Sequence, residues 1–283
     1  MKFYFFSIAT ALLFFSCTEV KKPDSTNSTA TQQSSLKQNT PADIHLIARP
    51  DSIAFDAAST VVIVVDMQND FGSKGGMFDR SGIDISSIQK TVAPTSDVLS
   101  AARRSGIEII YLKMGFNQNL SDAGRNEYRK LVKHLRKVQI GDTITTPTGD
   151  KGRILVRDTW NTDIIPKLQP HPNDVVIYKT RFSGFYQTAL DSILKRKEKK
   201  YLIFTGCTTS ICIESTVRDA AFRDYLPIVL EDCTAEPIGN GLSRSNHEAS
   251  LLNIQVSFGW VSNSINFIKA IQHDSIADRS KLQ

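Results

Sequence analysis

Three side chains that could share one reaction are spread widely along the chain: Asp66, Lys179 and Cys212. Asp66 directly follows the apolar run "VVIVV", Lys179 lies near the end of "DVVIYKT", and Cys212 lies in "GCTTSIC". A thiol becomes an effective nucleophile when a base removes its proton or when nearby positive charge lowers its pKa. A desolvated carboxylate can act as that base, and an ammonium group stabilises the charged forms of both partners. These residue types therefore predict nucleophilic catalysis by a cysteine that needs no histidine.

The elements that must position these residues alternate between strand and helix. Apolar, β-branched runs predict strands at residues 61–65, 107–112, 174–180, 201–206 and 226–232. Amphipathic or charged stretches predict helices at residues 88–104, 126–137, 187–197, 211–225 and 243–255. This alternation is typical of an α/β fold with a mostly parallel sheet. Because sites in such sheets form beyond the carboxyl ends of the strands, we expect the three side chains to converge at one edge.

The cysteines of the domain are predicted to have different roles. Cys212 is predicted to begin a helix, where free N–H groups and the helix dipole would lower the pKa of its thiol. Cys207 and Cys233 each end a predicted strand and are expected to pack as small apolar side chains. A disulfide between Cys207 and Cys233 stays open, because an oxidising compartment permits it but the sequence does not give the distance.

Charge and histidine placement disfavour several other classes of protein. The net charge of +5 is small, and the basic runs "YRKLVKHLRK" and "LKRKEKKY" lack interleaved aromatics, so nucleic-acid binding is not expected. No histidine follows a predicted strand and no pair has metal-ligand spacing, so we expect neither a catalytic histidine, nor a metal, nor another cofactor. The histidines considered were His45, His134, His171, His247 and His273.

The first 17 residues, "MKFYFFSIATALLFFSC", have the pattern of a secretory signal. An early lysine precedes a short apolar run, and a small residue precedes Cys17, as in the bacterial lipobox. The sequence therefore predicts lipidation of Cys17 and a place in the bacterial cell envelope, periplasmic or membrane-anchored; a plain cleaved signal is the alternative. Residues 18–45 are predicted to be a disordered polar linker, 46–272 a single domain and 273–283 a polar tail.

Three segments carry a resemblance to a known family. They are "VVIVVDMQNDF" (61–71), "YKTRFSGFYQTALDSIL" (178–194) and "FTGCTTSICIESTVRDAAFRDYLPIVLEDCTA" (204–235). They resemble the signatures of the isochorismatase-like cysteine hydrolases, over about residues 48–268. "RFSGFYQTALDSIL" and the later "NIQVSFGWVS" (253–262) are most similar to the ureidoacrylate amidohydrolase branch, which hydrolyses a ureido C–N bond.

This resemblance implies a three-layer, doubly wound fold and a catalytic triad of Asp66, Lys179 and Cys212. It implies a cis peptide between Cys207 and Thr208, which would direct the N–H groups of Thr208 and Cys212 toward an oxyanion. It also implies a homo-oligomer. The metal-binding members carry an Asp-x-His motif after the second strand, and this sequence does not have it.

Six side chains are candidates for substrate binding, although ordinary core packing remains open for the aromatic ones: Phe71, Met114, Phe116, Trp160, Phe182 and Phe185. Met114 and Phe116 stand where the branch has asparagine and tryptophan, and Phe182 where it has tyrosine. Fewer polar groups favour a more apolar substrate.

The predicted function is hydrolysis of a C–N bond in a small linear amide or ureide, similar to ureidoacrylate, through a thioester. Two kinds of alternative stay open. One is another hydrolysis, of a vinyl ether as in isochorismatase or of an N-carbamoyl compound. The other is a non-catalytic ligand-binding module of the envelope, since a fold does not fix a function.

Overall fold

The computed structural model describes residues 44–125, 138–239 and 243–280, with the backbone alone for 273–280. The predicted signal, the predicted linker up to residue 43 and the predicted helix at 126–137 lie outside the described residues. All the described residues belong to one compact unit.

Six parallel strands form the main sheet of the described chain. In chain order the described strands are β1 (Ile44–Leu46), β2 (Ile53–Phe55), β3 (Thr60–Val65), β4 (Glu108–Met114), β5 (Thr143–Thr145), β6 (Lys151–Arg153), β7 (Val175–Lys179), β8 (Tyr201–Cys207), β9 (Leu226–Ala235) and β10 (Trp260–Ser262). The main sheet has the order β10-β9-β8-β3-β4-β7, and every pairing in it is parallel. The five predicted strands are all present in it.

Strand β3 explains why both faces of this sheet are covered. All six of its residues are buried. Val62 and Val64 belong to the apolar core on one face, whereas Val61, Ile63 and Val65 belong to the core on the other. A continuous apolar run is what a strand needs when both of its faces are buried.

Helices cover the two faces and complete the three layers. The described α-helices are α1 (Asn69–Gly72), α2 (Met77–Arg80), α3 (Ser86–Arg104), α4 (Leu190–Arg196), α5 (Glu214–Ala221), α6 (Asn246–Ser257) and α7 (Ser264–Ser280). Helices α3 and α7 contribute to the core that contains Val62, and α4, α5 and α6 to the core that contains Val61. The α/β prediction with a mostly parallel sheet is confirmed.

Short elements at the periphery differ from the sequence-based expectation. The antiparallel pair β1–β2 begins at Ile44, inside the predicted linker, because Ile44 and Leu46 are buried in the core. Helix α7 continues to Ser280, eight residues into the predicted tail. The pair β5–β6 and the edge strand β10 were not predicted, since each is only three residues long. Within the described ranges, the helices are all too short or too polar to cross a membrane.

Candidate active site

Asp66 lies one residue beyond β3 and has a φ of 54°, a left-handed conformation that side chains with a Cβ rarely adopt. Its backbone is held by three bonds. Its N–H donates to the carbonyl of Leu112 (2.9 Å), and its own carbonyl accepts from the N–H of Gln68 (2.8 Å) and from the thiol of Cys207 (3.3 Å). Asp66 is only 1% exposed. The carboxylate is therefore fixed at the carboxyl edge of the sheet, out of water.

Lys179 is the last residue of β7, at the edge of the sheet beside β4. The side chain is fully buried, and Nζ lies 2.7 Å from Asp66 Oδ2 and 3.4 Å from Cys212 Sγ. Nζ also lies 3.7 Å from Met114 Sδ and donates to the carbonyl of Arg181 (3.3 Å). One ammonium group thus contacts both the carboxylate and the thiol.

Cys212 lies in a π-helical turn, Thr209–Ile213, that joins β8 to α5. The predicted cis peptide between Cys207 and Thr208 is present immediately before this turn. The carbonyl of Thr208 accepts the N–H groups of Ile211 and Ile213, both at 3.1 Å. The carbonyl of Cys212 accepts the hydroxyl of Thr216 at 2.6 Å. The thiol therefore stands in a turn whose backbone is bonded before and after it.

Glycine is required at position 206, where β8 passes closest to β3. Gly206 has a φ of +118°, and an added Cβ would lie 2.0 Å from the carbonyl oxygen of Val65. Since Val65 precedes Asp66 and Gly206 precedes Cys207, this close approach brings the two strand ends together. It places the Asp66 carboxylate beside the π-helical turn Thr209–Ile213, which we call the nucleophile turn because it contains Cys212.

Burial is the largest single influence on the pKa of each of the three groups. It raises the pKa of Asp66, against the attraction of Lys179 and a hydrogen bond with Cys212. Burial also opposes the charge of Lys179, but Asp66 and Cys212 outweigh it and raise the pKa of the ammonium group. Lys179 is therefore positively charged at neutral pH and neutralises the carboxylate.

The prediction of a lowered pKa for the Cys212 thiol is wrong. Burial raises that pKa, the charge of Asp66 adds to the rise, and Lys179 only partly opposes it. The turn is π-helical and the α-helix starts two residues later, at Glu214, so Cys212 does not occupy the helix terminus expected for it. The resting thiol keeps its proton, and Asp66 is the neighbouring group that can accept it.

Comparison with known proteins gives this geometry a family. The model of the isochorismatase domain matches residues 60–265, which include Asp66, Lys179 and Cys212. The chain belongs to the isochorismatase family.

Some relatives of this isochorismatase-family protein are named by a specific reaction, and others only as hydrolases. The chain is 36% identical over 226 residues to ureidoacrylate amidohydrolase RutB of Pantoea ananatis, covering 80% of this chain and 87% of that protein. A cysteine hydrolase from Pseudomonas syringae pv. phaseolicola is 29% identical with a TM-score of 0.64, over 78% of this chain and 95% of the other. N-carbamoylsarcosine amidase from Thermoplasma acidophilum is 25% identical with a TM-score of 0.54, over 73% and 96%. The resemblance to isochorismatase-like hydrolases is thereby confirmed.

The predicted substrate-binding residues of this isochorismatase-family hydrolase have different contacts. Met114 contacts Lys179, and the half-buried Phe182 packs against the apolar core that includes Cys212. Phe71 packs edge-on against Phe78, with ring centroids 5.0 Å apart. These contacts place Met114 at the site and leave Phe71 in an aromatic pair of the core.

Phe116, Trp160 and Phe185 lie in or against the two apolar cores. Phe116 is 2% exposed, and Trp160 packs against the same core cluster from a 3₁₀ turn at Trp160–Thr162. The ring of Phe185 stacks on Tyr225 at 5.8 Å. Tyr225 directly precedes β9, at the opposite edge of the sheet from the triad. Phe185 is therefore buried in the core that contains Val61.

The remaining described cysteines and acids form no further centre. Cys207, Cys212 and Cys233 are all free, so the disulfide left open above is not formed. Burial raises the pKa of the Cys207 thiol, which is fully enclosed beneath the backbone of Asp66. Within the described ranges, no three His, Cys, Asp or Glu side chains are grouped so as to hold a metal ion.

Several polar residues around the site were missed by the sequence reading. Gln68 exchanges two hydrogen bonds with the backbone of Met114, donating to its carbonyl (2.9 Å) and accepting its N–H (2.6 Å). Glu236 and His247 bond the nucleophile turn from two other elements. Gln68 follows a strand end, which is a usable signal, but only the tertiary structure brings Glu236 and His247 to this turn.

Proposed function

We propose that this protein is a cysteine-dependent amidohydrolase that cleaves a C–N bond in a small linear amide or ureide of the ureidoacrylate type. The observation that carries the proposal is the contact of one buried ammonium group with a carboxylate (2.7 Å) and a thiol (3.4 Å). The similarity to ureidoacrylate amidohydrolase RutB supports the substrate class. Ionic and thiol groups clustered in a buried site at the carboxyl edge of a parallel sheet are typical of active sites in α/β enzymes.

Acylation begins with transfer of the Cys212 proton to Asp66. The sulfur attacks the carbonyl carbon, a C–S bond forms, and the carbonyl electrons move to oxygen. Lys179 stabilises the thiolate as it forms, because its ammonium group contacts the sulfur. The C–N bond then breaks, and protonated Asp66 gives its proton to the leaving nitrogen. The result is an acyl or carbamoyl thioester on Cys212 and a free amine or ammonia.

Hydrolysis of the thioester returns the enzyme to its resting state. Water loses a proton to Asp66 and attacks the thioester carbon, the C–S bond breaks, and the thiolate recovers the proton from Asp66. The backbone N–H groups of Thr208 and Cys212 are the proposed donors to the oxyanion in both steps. Loss of one such donor typically lowers the rate by about 10²–10³-fold.

Substrate selection is proposed to involve Met114, which contacts Lys179, and Phe182, which packs against the apolar core that includes Cys212. Met114 places a thioether, a weak hydrogen-bond acceptor, against Lys179, where the resemblance leads one to expect an amide side chain. We therefore propose that the acyl portion of the substrate is more apolar than ureidoacrylate at this point.

The test is turnover by the purified enzyme with ureidoacrylate, N-carbamoylsarcosine, a panel of small primary amides and a vinyl ether. Release of ammonia or amine supports the proposal, and release of pyruvate from isochorismate supports the vinyl ether reaction instead. Cys212→Ser should abolish turnover, whereas Cys233→Ser, at another free and buried thiol, should not. A Cys212→Ser variant as active as the parent, or binding without turnover across the panel, would refute the proposal.

We also propose a place in the cell envelope, with Cys17 as a lipid anchor. The support is the sequence of residues 1–17 and the small residue directly before Cys17. A lipid there would keep the hydrolase near a membrane surface through the polar segment that follows.

A further inference from the structure

Glu236 holds the nucleophile turn from the end of β9. Its side chain is buried, and Oε2 accepts both the backbone N–H of Ser210 (2.8 Å) and the hydroxyl of Ser210. Its other oxygen, Oε1, accepts the N–H of Ile238 (2.9 Å), which fixes the orientation of the carboxylate. A charged acceptor of this kind makes stronger hydrogen bonds than a neutral one.

His247 holds the preceding residue of the same turn from α6. Its Nδ1 lies 2.8 Å from the hydroxyl oxygen of Thr209, which is fully buried. One turn later on α6, the hydroxyl of Ser250 donates to Glu214 at 2.6 Å, and Glu214 is the first residue of α5. Helix α6 therefore bonds residues on both sides of Cys212, Thr209 before it and Glu214 after it.

The residues that Glu236 and His247 bond, Ser210 and Thr209, lie in the part of the turn that leads to Cys212. Thr209 and Ser210 lie between Thr208 and Cys212, whose N–H groups are the proposed oxyanion donors. A buried backbone turn must satisfy its polar groups; Glu236 supplies the partner of the Ser210 N–H, and His247 supplies that of the buried Thr209 hydroxyl. Neither side chain has a bond to Asp66 or Lys179, so their effect on the reaction passes through the backbone of the turn.

We propose that Glu236 and His247 form a clamp of positioning residues that sets the direction of the Thr208 and Cys212 N–H groups. This inference rests on the proposed nucleophilic role of Cys212. Loosening the clamp should affect the transition state more than the bound substrate, because the oxyanion exists only after attack has begun. Misplacement of reacting groups by about 1 Å can cost about 10²-fold in rate.

The experiment compares kcat and KM for Glu236→Ala and His247→Ala with the conservative variants Glu236→Gln and His247→Asn. We expect the alanine variants to lower kcat by about 10–100-fold with KM changed less than about threefold. Gln and Asn should restore part of kcat, because each retains an oxygen that can accept a hydrogen bond. Asn253→Ala, on the exposed side of α6, is the matched control and should leave kcat unchanged.

A double-mutant cycle gives a second measurement on the same clamp. Thr209→Val removes the partner of His247, so Thr209→Val combined with His247→Ala should lower kcat no further than either change alone. Additive losses, or a kcat per folded molecule within twofold of the parent in both alanine variants, would overturn the inference. If Cys212→Ser were active, the proposed function would fail first; an inactive Cys212→Ser with fully active clamp variants would overturn the clamp alone.

Discussion

Replacing Asp70 with asparagine should remove a pH dependence from the stability of this protein. The Asp70 carboxylate is fully buried and accepts N–H groups from Met77 (3.0 Å), Leu155 (2.7 Å) and the Asn161 side chain (2.6 Å). Burial raises the pKa of Asp70 to about 7, although these hydrogen bonds and Arg80 oppose the rise. One titrating group therefore joins α1, α2 and the segment after β6.

The size and sign of the effect follow from that pKa. A rise from 3.8 to about 7 corresponds to about 4 kcal/mol of free energy. Because the folded state holds the proton more tightly than the unfolded chain, the contribution is fully present below the unfolded pKa of 3.8. It is lost as the pH rises through about 7. An asparagine side chain does not titrate. Between the unfolded pKa of 3.8 and about pH 7, the free energy of unfolding of Asp70→Asn should therefore fall by up to about 4 kcal/mol less than that of the parent.

Urea unfolding followed by tryptophan fluorescence at several values between about pH 4 and pH 8 measures the difference. Asp79→Asn is the matched control, because the Gly75 N–H and Lys74 lower the pKa of Asp79. That group contributes stability above its unfolded pKa of 3.8 and loses it only as the pH falls below that value, so Asp79→Asn should leave the profile between about pH 4 and pH 8 nearly unchanged. Identical pH profiles for the parent and Asp70→Asn would show that Asp70 is not a source of this dependence.

Three further outcomes are expected. Gly206→Ala should destabilise the fold by at least about 3 kcal/mol in urea unfolding, whereas Gly106→Ala, also at positive φ but with no atom within 4 Å of its Cβ, should cost about 1–2 kcal/mol. Equal losses would contradict the role given to the close approach of β3 and β8. Thr216→Val removes a buried hydroxyl bonded to the Cys212 carbonyl, so calorimetry should show a loss of about 1–3 kcal/mol, and unchanged melting would contradict this. Cys17→Ala should move the protein from the membrane to the soluble fraction after cell lysis, and continued membrane association would argue against the lipid.

The sequence was informative about the centre of the sheet because parallel strands leave few choices there. A short, unbroken and β-branched apolar run such as β3 favours a strand covered on both faces, and the residue after such a strand lies at the carboxyl edge. The same reasoning applies to Lys179 at the end of β7 and to the turn after β8. The contact of Asp66, Lys179 and Cys212 thus follows from strand order and direction.

Burial and cross-element bonds could not be predicted in the same way. The raised pKa of Cys212 depends on every segment that excludes water from the site, and no local sequence pattern shows how completely the thiol is buried. Glu236 and His247 reach Ser210 and Thr209 across long stretches of chain, so spacing gives no signal for them. The three-residue strands form because a partner is adjacent, as β10 beside β9 shows.

The strand order β8-β3-β4-β7 has a consequence for how such a protein can change over time. The carboxylate and the thiol follow β3 and β8, the two central strands of the six, whereas Met114 ends β4 and the connections beyond it lead on toward β7. Those connections are free to lengthen or exchange residues without disturbing the reacting atoms. Substitutions in these connections can therefore change which substrate is bound while the same three reactive side chains are kept.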